Sequence, residues 1–233
     1  MKSASTGAIW HPSPNFGDRR VVNAPTLVVL HYTAMTSPQA ALERLCSDHF
    51  NVSAHYLIAA NGTCFQLVAE DKRAWHAGDG EWQGRDDINS RSIGIELDNS
   101  GDEPFSEPQM SCLEGLLRCI LKRHNLHPAS VIAHSDFALG RKTDPGPKFN
   151  WQRLAELNLS VWPRDTGHCM IDAAQFAVDA ARFGYPMIDP HATPDRFRLL
   201  LQAFRLRFAP WRQGPLTESD MATVAALAAH DTA

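Results

Sequence analysis

Three short apolar runs, each closed by a polar residue, limit what this chain can become. TLVVLHY (26–32), SIGIELD (92–98) and VIAH (131–134) are aliphatic and β-branched runs of strand length. Between them lie helical patterns. Ser37-Pro38 supplies an N-cap and a first helical residue, and the helix is expected to reach about Phe50. From Ser106 to about His124, Met110, Leu113, Leu116, Leu117, Ile120 and Leu121 share one face, and Ser106 with Gln109 reads as a capping box. HYLIAANGTCFQLV (55–68) reads as a hairpin turning at Asn61-Gly62, with both residues at positive φ. Residues 1–25 and most of 70–91 read as irregular. Strands alternating with helices, plus one hairpin, predict an α/β fold with a mixed central β-sheet flanked by helices.

The pattern breaks at WPRDTGH (162–168). Beyond it, helical stretches are expected at about 170–183, 194–208 and 217–230. Thr193-Pro194 and Thr217-x-x-Asp220 mark the starts of the last two. The expected domains are therefore 1–164 and a small three-helix C-terminal domain, 165–233.

Composition removes some function classes. The net charge is −4 and neither half is basic, so no nucleic-acid or anionic-membrane partner is held by bulk charge. No stretch is long enough to span a bilayer. The N-terminus lacks the apolar core of a secretory signal. That implies the cytoplasm if Met1 is the native start, and the periplasm or envelope if a signal segment was removed. The five cysteines, without CxxC spacing, read as reduced small hydrophobes.

Chemistry is suggested at the strand ends, because polar groups there are costly to bury unless paired or functional. They are His31, Glu96 and His134. Alternation in SIGIELD puts Glu96 on the face of Ser92 and Gly94, opposite Ile93, Ile95 and Leu97. Asp144 follows His134 by ten residues. Two histidines and an aspartate make an N/O set suited to zinc, with a fourth position open to water whose pKa falls to about 7. Glu96 is then a candidate acid/base and Lys142 a candidate oxyanion donor. Spacing alone leaves alternatives open. Either histidine reads equally as a structural residue, Glu96 as a salt-bridged carboxylate, and Lys142 as a surface charge. Arg85 and Arg91 read as solvated charges or as partners for a stem-peptide carboxylate, and His55 as a brace for the sheet.

Six segments in order, LVVLHYTA (27–34), SAHYLIAANGT (53–63), RAWHAG (73–78), SIGIELDN (92–99), VIAHSDFALGRKTDPGPKFNW (131–151) and WP (162–163), carry a family resemblance. The sequence resembles the zinc N-acetylmuramoyl-L-alanine amidases, the group that includes the anhydromuramyl-peptide amidases and the peptidoglycan recognition proteins. The resemblance implies Zn2+ held by His31, His134 and Asp144, with Glu96 as acid/base and Lys142 on the oxyanion side. It implies hydrolysis of the amide between N-acetylmuramic acid, in normal or 1,6-anhydro form, and L-alanine of peptidoglycan or a muropeptide. His76 and Trp75 resemble the family's cleft wall and are candidates for substrate contact. The rival class is a recognition protein that binds muropeptide without cleaving it. Such a protein is expected to lack part of the metal set, whereas all five positions here carry the family's residue types. Another zinc hydrolase, such as a peptidase, is disfavoured only by the resemblance. ARFGYP (181–186), TPDRFRLLLQAFRLRFAP (193–210) and the helix from Thr217 resemble a helical peptidoglycan-binding module. A simple packing appendage uses the same apolar residues, such as Phe204 and Phe208.

Overall fold

The computed structural model describes residues 7–163, 167 and 169–229. Among these, the strands are β1 (Ile9–Trp10), β2 (Phe16–Asp18), β3 (Leu27–Tyr32), β4 (Tyr56–Ile58), β5 (Cys64–Gln66), β6 (Lys72–Ala74), β7 (Ser92–Leu97) and β8 (Val131–Ala133). The α-helices are α1 (Pro38–Cys46), α2 (Ile88–Arg91), α3 (Glu107–His124), α4 (His134–Phe137), α5 (Trp151–Glu156), α6 (Ala173–Phe183), α7 (Pro194–Phe208) and α8 (Glu218–Ala228). A sheet runs β1-β5-β4-β7-β3-β8, and β2 pairs with β6 separately. The hairpin pair β4–β5 is antiparallel, while β4–β7, β7–β3 and β3–β8 are parallel. The sheet is mixed and flanked by helices, as the sequence pattern predicts. None of the helices described is long and apolar enough to cross a membrane.

Local details depart from the sequence reading. Strands β1, β2 and β6 and the short α2 lie in segments read as irregular. Each is two to four residues long, too short to show a period. Helix α1 stops at Cys46 because Ser47 turns extended. In the hairpin only Gly62 takes a positive φ, +85°. Its N–H donates to Ala59 O at 2.9 Å, so Ala60 and Asn61 form the turn and Gly62 supplies the left-handed residue after it. Ser106 caps α3 by accepting from Gln109 N, but Gln109 does not complete a capping box. Its amide donates to Ile58 O and Asp98 O instead, tying α3 to the sheet. His134 opens the one-turn α4 rather than ending β8. All five cysteines are free thiols.

The two faces of the sheet have different work. Val28, Leu30, Ile93, Ile95, Leu97 and Val131 pack with the apolar stripe of α3 and with Trp151 and Leu154 of α5. The alternate residues Leu27, Val29 and Ile132 face a second core, built with Trp82, Ile88 and Phe137. The C-terminal helices close that second core through Phe176, Phe183, Leu200, Phe204 and Phe208. Phe204 and Phe208 are buried, as expected. The expected boundary between residues 164 and 165 lies outside the described residues. The apolar core is continuous from the sheet to α6, α7 and α8.

Candidate metal centre and active-site cleft

Parallel pairing brings the strand-end residues together. In the β3–β7 register His31 lies beside Glu96, Val29 beside Gly94 and Leu27 beside Ser92. Leu30 lies beside Ala133 of β8, so His134 leaves the sheet next to His31. The group stands at the carboxyl ends of parallel strands, where α/β sheets place ligands. The segment after α4 returns Asp144, whose carbonyl accepts from Ser135 N at 3.1 Å. His31 Nδ1, His134 Nδ1 and Asp144 Oδ2 form a triangle with edges of 2.8 to 2.9 Å. All three residues are buried.

Hydrogen bonds around the triangle fix what it presents. His134 Nε2 donates to Ala77 O at 2.9 Å, leaving Nδ1 of the neutral ring as a lone pair. Ser92 Oγ donates to Ile88 O at 2.7 Å and so accepts from His76 Nε2 at 3.1 Å. His76 Nδ1 is then the acceptor for His31 Nε2–H at 3.0 Å, and His31 Nδ1 is also a lone pair. Burial, reinforced by the charge His134 would carry, pushes the His31 pKa down to about 4. Three lone-pair atoms thus point at one another at closest approach, which is repulsive without a shared cation. Their separations are less than two metal–ligand bonds of about 2.0–2.1 Å, so one ion can touch all three. The donor set is that of zinc, and the site fits it.

Glu96 lies beside this group and is partly buried, its Oε2 without a hydrogen-bond partner among the described residues. Burial, then the neighbouring Asp144, pushes its pKa well above the ordinary carboxylate value, while Lys142 acts the other way. A cleft of about 450 Å³ opens here, lined by His31, Glu96, His134, Asp144 and Lys142, with Trp75 on its wall. His76 also reaches the cleft, but its ring is engaged with His31 and Ser92. Its close neighbour across β7 is Gly94, where a Cβ would lie 2.6 Å from His76 Nδ1 and nearer still to two ring carbons. Alternation already put Ser92 and Gly94 on the Glu96 face, whereas Asn89 carried no signal in the sequence. Asn89 Oδ1 accepts from both His76 N and Ala77 N at 2.9 Å.

Other expectations resolve here as well. His55 braces the sheet, accepting from Gly94 N at 3.0 Å and donating to Lys72 O at 3.0 Å. Arg91 is not solvated. It is buried and donates to Trp82 O and Arg85 O, closing the loop before α2.

The profile of the N-acetylmuramoyl-L-alanine amidase family matches residues 21–147. The chain belongs to that family. It is 36% identical over 210 residues to the N-acetylmuramoyl-L-alanine amidase AmiD of Escherichia coli, covering 79% of this chain and 75% of that protein. It is also 36% identical over 168 residues to the 1,6-anhydro-N-acetylmuramyl-L-alanine amidase AmpD of Escherichia coli, covering 65% of this chain and 92% of that protein. The fold matches the structure of Escherichia coli AmiD in complex with the substrate anhydro-N-acetylmuramic acid-L-Ala-D-γ-Glu-L-Lys. The TM-score there is 0.80 at 32% identity, over 91% of this chain and 96% of that one.

Proposed function

We propose that the protein hydrolyses the amide between the lactyl carboxyl of N-acetylmuramic acid and L-alanine, in peptidoglycan or 1,6-anhydro muropeptides. His31, His134 and Asp144 would hold a zinc ion. The observation that carries this reading is the triangle of three lone-pair atoms beside Glu96 in an open cleft, in a chain of this amidase family. A zinc ion supplies Lewis acidity and a water that ionises near neutral pH.

The chain's own residues do the rest. Glu96 takes a proton from water as the carboxylate, and the setting that favours its protonated form then holds that proton for delivery to the leaving L-alanine nitrogen. Lys142 lines the same cleft and its ammonium favours negative charge developing on the carbonyl oxygen. His76 and Ser92 keep the His31 ring in one tautomer and orientation. Trp75 offers a flat apolar wall to sugar or peptide. The C-terminal helices are proposed as a second domain that enlarges the substrate-binding surface.

Chelation tests the metal part of this reading. Dialysis against a chelator should abolish release of stem peptide from an anhydro-muropeptide, and about one equivalent of zinc should restore it. Full activity in protein shown to be metal-free would end the proposal.

A further inference from the structure

Helix α4 carries His134, and two residues further on it carries Asp136, fully buried. Asp136 does not line the cleft, yet its carboxylate accepts three hydrogen bonds. Oδ2 accepts from Ala133 N, the residue before His134, at 2.9 Å and from Arg207 Nη1 at 2.7 Å. Oδ1 accepts from Tyr185 OH at 2.7 Å. Arg207 comes from α7 and Tyr185 follows α6, so both partners belong to the C-terminal helices. Arg207 Nη2 also donates to Val131 O at 3.0 Å, at the start of β8, and to Ser160 Oγ at 3.3 Å. The guanidinium lies over Trp151 at 4.3 Å from the ring centre.

A buried ion pair is a poor way to gain stability. Removing two charges from water costs several kcal/mol each, and well-packed apolar replacements are often as stable. Here the cost is not even fully offset, since Arg207 Nε is buried without a hydrogen-bond partner among the described residues. What an ion pair supplies better than apolar packing is direction. Bonds from Arg207 and Tyr185 fix Asp136 from two sides, and Asp136 in turn fixes the backbone N–H of Ala133, the N-cap residue of α4. His134 is the first residue of that helix, and Ser135 N holds the Asp144 carbonyl. A shift of α4 would therefore move two of the three triangle residues together.

We propose that Asp136, Arg207 and Tyr185 are positioning residues through which the C-terminal helices hold His134 and Asp144 in metal-binding geometry. This rests on the metal reading above. It gives the C-terminal helices a role in the chemistry, separate from any contact with substrate.

The test is the zinc affinity of the full-length protein, measured by competition with a chromophoric chelator. Tyr185→Phe removes only a hydroxyl, and Arg207→Lys keeps the charge but loses the fork. Val224→Ala, in the same core but outside this network, reports the effect of general loosening. Each is measured well below its own Tm. Tyr185→Phe and Arg207→Lys should each weaken zinc by about tenfold, the lower end for loss of an orienting partner. They should lower kcat in sub-saturating zinc and leave KM unchanged. Val224→Ala should bind zinc within about twofold of the parent. Parental affinity in Tyr185→Phe, or an equal loss in Val224→Ala, would overturn the positioning role while leaving the metal site intact. A parent whose zinc binding is unaffected by His134→Ala would instead remove the metal reading, and this proposal with it.

Discussion

Replacing Gly94 by alanine should destabilise the protein, although strand propensity alone points the other way. In a strand interior, alanine is normally favoured over glycine by about 0.5–1 kcal/mol. Gly94 lies in the middle of β7, between β3 and β4, with φ outside the left-handed region. Backbone strain therefore does not decide the outcome. Space does. A Cβ would stand 2.6 Å from His76 Nδ1, against an ordinary contact of about 3.5–4.0 Å. The ring must move by roughly 1 Å, and it is held by bonds of 3.0 Å to His31 and 3.1 Å to Ser92. Overpacking costs about 1–3 kcal/mol, and each weakened hydrogen bond about 0.5–1.5. The net loss should be about 1–5 kcal/mol after the propensity gain. Urea unfolding of the parent, Gly94→Ala, His76→Ala and the double variant measures it. Removing the ring vacates the space, so the double variant should be less destabilised than the sum by about 1–3 kcal/mol. A Gly94→Ala protein as stable as the parent, or strictly additive variants, would refute the packing argument.

Glu96→Ala should keep its zinc and lose about 10²–10⁴ in turnover, and Lys142→Ala should lose about 10². Rates close to the parent in zinc-replete protein would remove either residue from the chemistry. Stability of the metal-free protein should fall on acidification. His31 is pushed down to about 4 and His55 to about 3, mainly by burial, against about 6.5 unfolded. Their contributions are complete above 6.5 and decline as pH drops toward the folded values, because only the unfolded chain takes up the protons. Between pH 6 and 5 the loss should be roughly 2–2.5 kcal/mol for the two histidines together, and unchanged urea midpoints at those pH values would contradict it. Deleting residues 165–233 should yield insoluble protein, since Leu27, Val29, Trp82 and Phe137 lose their cover. A soluble, active fragment in gel filtration and turnover assays would show instead that the α/β part stands alone.

Much of this architecture is legible in the letters because its signals are local. The apolar stripe of α3, the alternation that turns Glu96 away from Ile93 and Ile95, and the start signals of α7 and α8 all lie within a few residues of one another. The sheet order is not local. Only pairing of β3 with both β7 and β8 puts His31 beside Glu96 and His134, and no spacing within the chain encodes that adjacency. The proposed ligand set is therefore implied by family resemblance and ambiguous from spacing. Charged residues misled for a related reason. Arg91 read as a solvated charge, and Arg205 and Arg207 carried no signal, yet all three are buried because their partners come from other turns and helices. Arg205 and Arg207, two apart on α7, point to opposite sides: one to Asp220 of α8, the other to Asp136. His76 read as a cleft wall and is one, but its bond to His31 depends on Gly94 lying across from it.

The most direct test of the central claim is the mass of the products formed from anhydro-N-acetylmuramyl-tripeptide by the zinc-loaded protein, with intact sacculi assayed in parallel. Cleavage at the lactyl–L-alanine amide predicts two products, free anhydro-N-acetylmuramic acid and a tripeptide beginning with L-alanine, with both lost in Glu96→Ala. Cleavage between amino acids, or an unchanged substrate in protein carrying about one zinc per chain, would contradict it.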